Sequence, residues 1–174
     1  MVMAKSDSFF IRATQNIQDD NTFYEGEIDL GAYVDALGKS VLRIHNIAVA
    51  FTDSGGRSPD VKTGGDTTTS AQFQLTTQSN ADIVLGTNKS VIAQGQINAI
   101  RVPNSAGVAS SVSHDLDNLP QLWTNGYLVA VDSIYLGGAA LDQWNEDVYV
   151  TVTMECTVET MSQAAAMALA LSQQ

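Results

Sequence analysis

The 174-residue chain has one cysteine, two histidines, eight Lys plus Arg, and no apolar run long enough to span a bilayer. Each shortage excludes something. A single thiol, Cys156, rules out an internal disulfide framework and any zinc site of the Cys₄ or Cys₂His₂ type. His45 and His114 lack the spacing of a metal-binding pair, and both read as structural or solvated side chains, His45 within a strand and His114 in a polar loop. Eight cations against nineteen acids give a formal net charge of −11. With no cluster of cations to displace counterions, nucleic acid is a poor partner, and an anionic membrane surface is disfavoured for the same reason. Met1 to Ser8 carries one Lys and no apolar run, which predicts no secretory signal.

Catalytic motifs are equally scarce. Gly38-Lys39-Ser40 resembles the end of a phosphate-binding loop, but Tyr33 stands where the first Gly of that motif is required, and the next segment reads as a strand. Neither a G-x-S-x-G elbow nor a dinucleotide fingerprint is present. Asn88-Lys89-Ser90 is a sequon of the length that chance supplies. Asp115 and Asp117, and the pair Glu146-Asp147, are the acids to test for glycoside chemistry, which needs two carboxyls across a sugar cleft and usually stacking aromatics. Trp123 and Trp144 are the aromatics available, and both read as anchors of the body of the domain. Asp115, Asp117 and Asp142 are the least implausible Ca²⁺ ligands, although no EF-hand spacing joins them. The expectation is therefore no catalytic residue, no metal, no cofactor and no small-molecule substrate. Cys156 alternates onto the apolar side of a strand, where an inert buried thiol is expected.

What is present points to β structure. Val148, Val150, Val152, Met154, Cys156 and Val158 alternate with Tyr149, Thr151, Thr153, Glu155 and Thr157, a period-2 pattern that predicts a strand about 35 Å long with one face on a core. Further strands are expected at Ser8 to Thr14, Glu25 to Leu30, Val41 to Thr52 and Ala71 to Thr76. Ile83 to Leu85 and Val91 to Val102 are expected to form a hairpin across Gly86-Thr87-Asn88-Lys89. In Val41 to Thr52 the apolar parity changes between Ile44 and Ile47, which predicts a β-bulge near His45-Asn46. Tyr127 to Leu136 is apolar throughout, as a strand covered on both faces would be. Gly/Ser/Asp-rich stretches at 54–66 and 103–126 read as long loops. Tyr33 to Gly38 suits one helical turn. Met161, Ala164, Ala165, Ala168 and Leu169 follow helical spacing, predicting a short C-terminal helix with that apolar face.

Seven or eight strands with long end-loops predict an all-β, two-sheet antiparallel sandwich, a single jelly roll of about eight strands, in preference to an immunoglobulin-type fold. One domain over 1–174 is expected, with 1–7 as an N-terminal arm and 161–174 as helix and tail. Of the nineteen acids fourteen are Asp and five Glu. That bias has two readings: adaptation to high salt, or collection of Asp in turns such as those at Asp53, Asp60 and Asp66.

The arm Ala4-Lys5-Ser6-Asp7-Ser8-Phe9-Phe10-Ile11-Arg12, the strand Val41-Leu42-Arg43-Ile44-His45-Asn46-Ile47, the acidic body and the small terminal helix together resemble one family. It is the smaller single-jelly-roll major capsid protein of tailless icosahedral, internal-membrane viruses of halophilic archaea (sphaerolipovirus-like). The resemblance spans nearly the whole chain by overall pattern. It implies a non-enzymatic shell subunit located in the virion. It further implies assembly with itself and with a larger jelly-roll partner into capsomers close to a lipid vesicle. The alternative function is a carbohydrate-binding β-sandwich module.

Overall fold

The computed structural model describes residues 5–35, 39–63, 67–101, 111–115 and 123–174, with the backbone alone at 67 and 111–115. Among them are nine strands: β1 (Phe9–Gln18), β2 (Tyr24–Asp29), β3 (Ser40–Thr52), β4 (Thr67–Thr76), β5 (Val91–Arg101), β6 (Ser111–Asp115), β7 (Tyr127–Val129), β8 (Ser133–Ala140) and β9 (Val148–Thr160). One helix follows, α1 (Gln163–Ser172). The strands form a four-stranded sheet, β1-β9-β3-β7, and a five-stranded sheet, β2-β8-β4-β5-β6, antiparallel throughout. Without β6, the two orders are those of an eight-strand jelly roll, in which the chain crosses repeatedly from one sheet to the other. β6 is an added edge strand.

The period-2 pattern of β9 holds from Val148 to Cys156, past which Thr157 is buried and Val158 half-buried. Val148, Val150, Val152, Met154 and Cys156 are buried between the sheets, with Leu42, Ile44, Ile47 and Phe51 of β3 beside them and Phe73, Leu75, Ile97, Ile134 and Leu136 opposite. The bulge expected in β3 is present: Ile44 pairs with Cys156 and Asn46 with Glu155, so His45 is the extra residue. It restores Ile47 and Phe51 to the core side after the parity change.

Several expectations need correction. Ile83 to Leu85 is not a strand. The Val84 backbone is occupied instead by the Gln74 side-chain amide, which accepts from Val84 N at 2.9 Å and donates to Val84 O at 2.5 Å. Tyr127 to Leu136 is two strands in different sheets, broken at 130–132. Its apolar run is continuous because the corner is buried as well: Val131 faces the core and Ala130 lies under α1. β1 runs on to Gln18, four residues past the expected end at Thr14. His114 and Asp115 lie in β6, not in a loop, because their backbone pairs with β5. The turn expected at Tyr33 to Gly38 starts earlier, with Tyr33 N and Val34 N both donating to Leu30 O; residues 36–38 lie outside the described residues.

The helix forms where expected, with Ser162 as N-cap accepting from Ala165 N, and its inward face is turned only part-way from the expected one. Ala166 and Ala170 are buried, with Met161 and Leu169 packed beside them on Val41, Leu128 and Ala130, whereas Ala164 and Ala168 are exposed. The segment is apolar almost all round, so periodicity cannot choose its phase. Gln173 chooses it, as described next.

Candidate functional site

Among the described residues, three surface features bear on function. The first lies on the outer side of the four-stranded sheet. Register places Arg43 opposite Thr157 and Val41 opposite Glu159, and the residues preceding β1 run alongside, with Ser6 N donating to Val158 O at 3.0 Å and Val158 N donating to Ser6 Oγ at 2.8 Å. Arg43 donates to both Glu159 oxygens, at 2.6 and 3.0 Å, and to the Asn125 carbonyl at 2.5 Å. Lys5 Nζ stands 3.8 Å from the same carboxylate. Glu159 is thus a buried carboxylate, and the Arg43 bonds hold its pKa below the usual range.

His45 Nε2 and Thr157 Oγ1 are 2.8 Å apart at the edge of this cluster. Burial, followed by the nearby charges of Lys5 and Arg43, lowers the imidazole pKa, which favours the neutral ring. A hydroxyl beside an imidazole can in principle act as nucleophile and base. Here Thr157 is buried beneath the strand surface, out of reach of a substrate. The cluster, with Thr124 and Asn125, borders a depression of about 500 Å³. Each guanidinium nitrogen of Arg43 already donates one hydrogen bond within the protein. The cluster's chemistry is that of a clasp between β3, β9 and the N-terminal segment.

The second feature is a row of amides on the outer side of the five-stranded sheet. Gln72 faces Gln96 and Gln74 faces Gln94 across β4 and β5, around a depression of about 240 Å³. Gln74 is spent on Val84 and Gln94.

The third feature is at the free edge of β7. Gln173, just beyond α1, accepts from Ala130 N at 2.9 Å and donates to Leu128 O at 2.6 Å through its side-chain amide. Its own carbonyl accepts from Thr77 Oγ1 at 2.7 Å. One residue therefore extends the edge strand with a strand-like pair of bonds and ties it to the end of β4, covering backbone that would otherwise invite pairing. Beside it lies a groove of about 690 Å³ lined chiefly by Trp123, Tyr127, Leu128 and Leu169.

The residues singled out from sequence are scattered. Trp144 is 0% exposed and donates its indole N–H to Ser70 O at 3.1 Å, so it is a core anchor. Trp123 is 40% exposed and leans on Tyr127 with ring centroids 5.9 Å apart. The two tryptophans do not share a sugar platform. Asp115 lies in β6 and Asp142 follows β8, three strands away and hence about 14 Å off across the sheet; Asp117 lies outside the described residues. Glu146 and Asp147 turn apart, to Ser54 and Asn16 respectively. Among the described residues no three His, Cys, Asp or Glu side chains come together as a metal site. Cys156 is buried, and desolvation pushes its thiol pKa up to about 12, which keeps it protonated and unreactive. Sequence reading missed Glu159, Arg43 and Gln173. The only signal for the first was its place, with Glu155, among the polar residues that alternate along the last strand.

No protein-family model matches the chain, and no curated protein matches it. One solved structure it resembles, titled "Desmodium yellow mottle tymovirus", is 8% identical over 92% of this chain and 89% of that chain, with a TM-score of 0.39. A likeness at that level carries no argument, and the jelly-roll assignment rests on the strand order of this chain.

Proposed function

We propose that the chain is a structural subunit of a viral shell, a capsid protein that builds an icosahedral coat by association with itself and with a larger jelly-roll protein. The supporting observation is the strand order β1-β9-β3-β7 over β2-β8-β4-β5, the eight-strand jelly roll that viral capsid domains share with lectins and cupins. The interior supports the first of these uses. The space between the sheets is filled by aliphatic and aromatic side chains and one inert thiol, whereas a cupin-type site needs metal ligands pointing inward. A sugar-binding module loses Trp144 to the core. The acidic composition suits a high-salt setting, and the resemblance adds an internal membrane beneath the shell.

Electron microscopy of the purified protein, alone and mixed with the proteins of its source particle over a range of salt, tests this reading. Regular capsomers or sheets are expected. A chain that stays dispersed under all these conditions, and is missing from purified particles, refutes it.

A further inference from the structure

Residues 5–8 are exposed throughout and are held to β9 by few contacts. Ser6 N donates to Val158 O at 3.0 Å, and Val158 N donates to Ser6 Oγ at 2.8 Å. Lys5 pairs with Glu159 through an isolated bridge, its Nζ 3.8 Å from the carboxylate. So thinly attached a segment opens more readily than the sheet beneath it. The bulge in β3 sets His45 beside this attachment. Asn46, and not His45, takes the place opposite Glu155, which leaves the His45 ring to reach Thr157 Oγ1, opposite Arg43. His45 and Lys5 consequently line one depression with Arg43 and Glu159. We propose that His45 is a proton switch for the N-terminal attachment: a proton on the imidazole loosens residues 5–8 from β9 while the sandwich stays folded.

The coupling is reciprocal. Burial, then the charge of Lys5, then that of Arg43 lower the His45 pKa, while Glu155 and Glu159 raise it. Among the described residues these are the charged groups around the ring, from the N-terminal segment, β3 and β9. Thr124 and Asn125, on the remaining side of the depression, carry no charge. Lys5 weighs more than Arg43, so the proton affinity of His45 depends on whether the N-terminal segment is docked. Docked Lys5 disfavours a proton on His45, and a proton on His45 therefore disfavours docked Lys5 by the same factor. Arg43 takes no part in this exchange, because its hydrogen bonds to Glu159 and Asn125 keep it with the sheet. The sign follows. Undocking removes the Lys5 charge and raises the His45 pKa toward its ordinary value of about 6.5. Docking is at full strength above that value and weakens as pH falls from it to the lowered, docked value. Glu159 adds to the weakening only in stronger acid, since Arg43 above all holds its pKa below the usual carboxylate range. The stretch uncovered is the Val158–Glu159 edge of β9, whose backbone groups are then open to pairing.

Amide hydrogen exchange of the full chain, read by NMR as protection relative to an unstructured chain from about pH 7.5 to about pH 5.5, is the test. Protection at Ser6 and Val158 is expected to fall about fivefold across that range. Val152, buried in the middle of β9, should be unchanged. His45→Gln, which takes up no proton, should abolish the fall. The reciprocal measurement is the titration of the His45 ring resonances. Lys5→Gln removes the charge, and Ser6→Pro deletes the donor to Val158 O; each should raise the His45 pKa. Protection at Ser6 and Val158 that is constant with pH overturns the proposal. So does a fall that persists in His45→Gln, and so does an equal fall at Val152, which would mean that the whole sandwich loosens. A His45 pKa indifferent to both Lys5→Gln and Ser6→Pro overturns it as well.

Discussion

Arg43 and Glu159 meet on the solvent side of a sheet, yet the carboxylate is buried, because Lys5, Arg43 and the neighbouring strand roof it over. Such a pair contributes little over an apolar replacement but is costly to break, since the surviving charge is left without a partner. Arg43→Leu is therefore expected to cost about 3 kcal/mol, measured as a fall in the urea midpoint with an unchanged m-value; a change under a quarter of that would mean water reaches Glu159 freely. The pH consequence has a definite sign. Folding lowers the Glu159 pKa, chiefly through the Arg43 hydrogen bonds, so the ionised form is favoured by the folded state. Its contribution is fully present above the ordinary carboxylate value of about 4.3 and is lost as pH falls through the lowered folded value. Glu159→Gln should be less stable than wild type at pH 7, and the difference should shrink below pH 4. A gap that is constant with pH would contradict this account. None of this pairing was legible in the sequence. Alternation placed Arg43 and Glu159 on outward positions of their strands, but only the β3–β9 register set them within reach.

Elements show the same division between pattern and placement. The alternation of β9 and the bulge in β3 follow from side-chain periodicity, because a two-residue repeat leaves one way to bury Val148 to Cys156. The end of α1 does not. Gln173 holds it to β7 through two bonds to backbone, one of them to the buried Ala130 N–H. Gln173→Ala should cost about 2 kcal/mol, the penalty of an unsatisfied buried donor, and should raise hydrogen exchange at Ala130 before any global unfolding. A variant as well protected there as wild type would show that α1 docks by apolar contact alone. Gly138 in β8 lies against the Gln72 backbone and the Ile17 side chain. A methyl at that position would overlap the Gln72 carbonyl oxygen, so Gly138→Ala is expected to destabilise by about 1–3 kcal/mol through strand displacement. Gly137 and Gly138 pair with both β2 and β4 as strand residues of β8.

For the whole molecule, a net charge of −11 on 174 residues works against the compact state at low ionic strength. Raising monovalent salt from 0.1 to 1 M shortens the screening length from about 10 to 3 Å and should raise the melting temperature; a flat or falling profile would remove charge repulsion as a factor. The sequence by itself determined that the chain is built of strands, which faces of β3 and β9 are buried, that Cys156 is inert, and that no known motif supplies a catalytic centre. These depend on local periodicity and on which residue types are present. Only the tertiary structure decided that Tyr127 to Leu136 divides between two sheets, that β6 exists, that the Val84 segment pairs with a glutamine in place of a strand, and which face α1 turns outward. Each of those depends on partners far away in the chain, and a run of apolar residues looks the same whether its neighbour is a sheet, a corner or a helix.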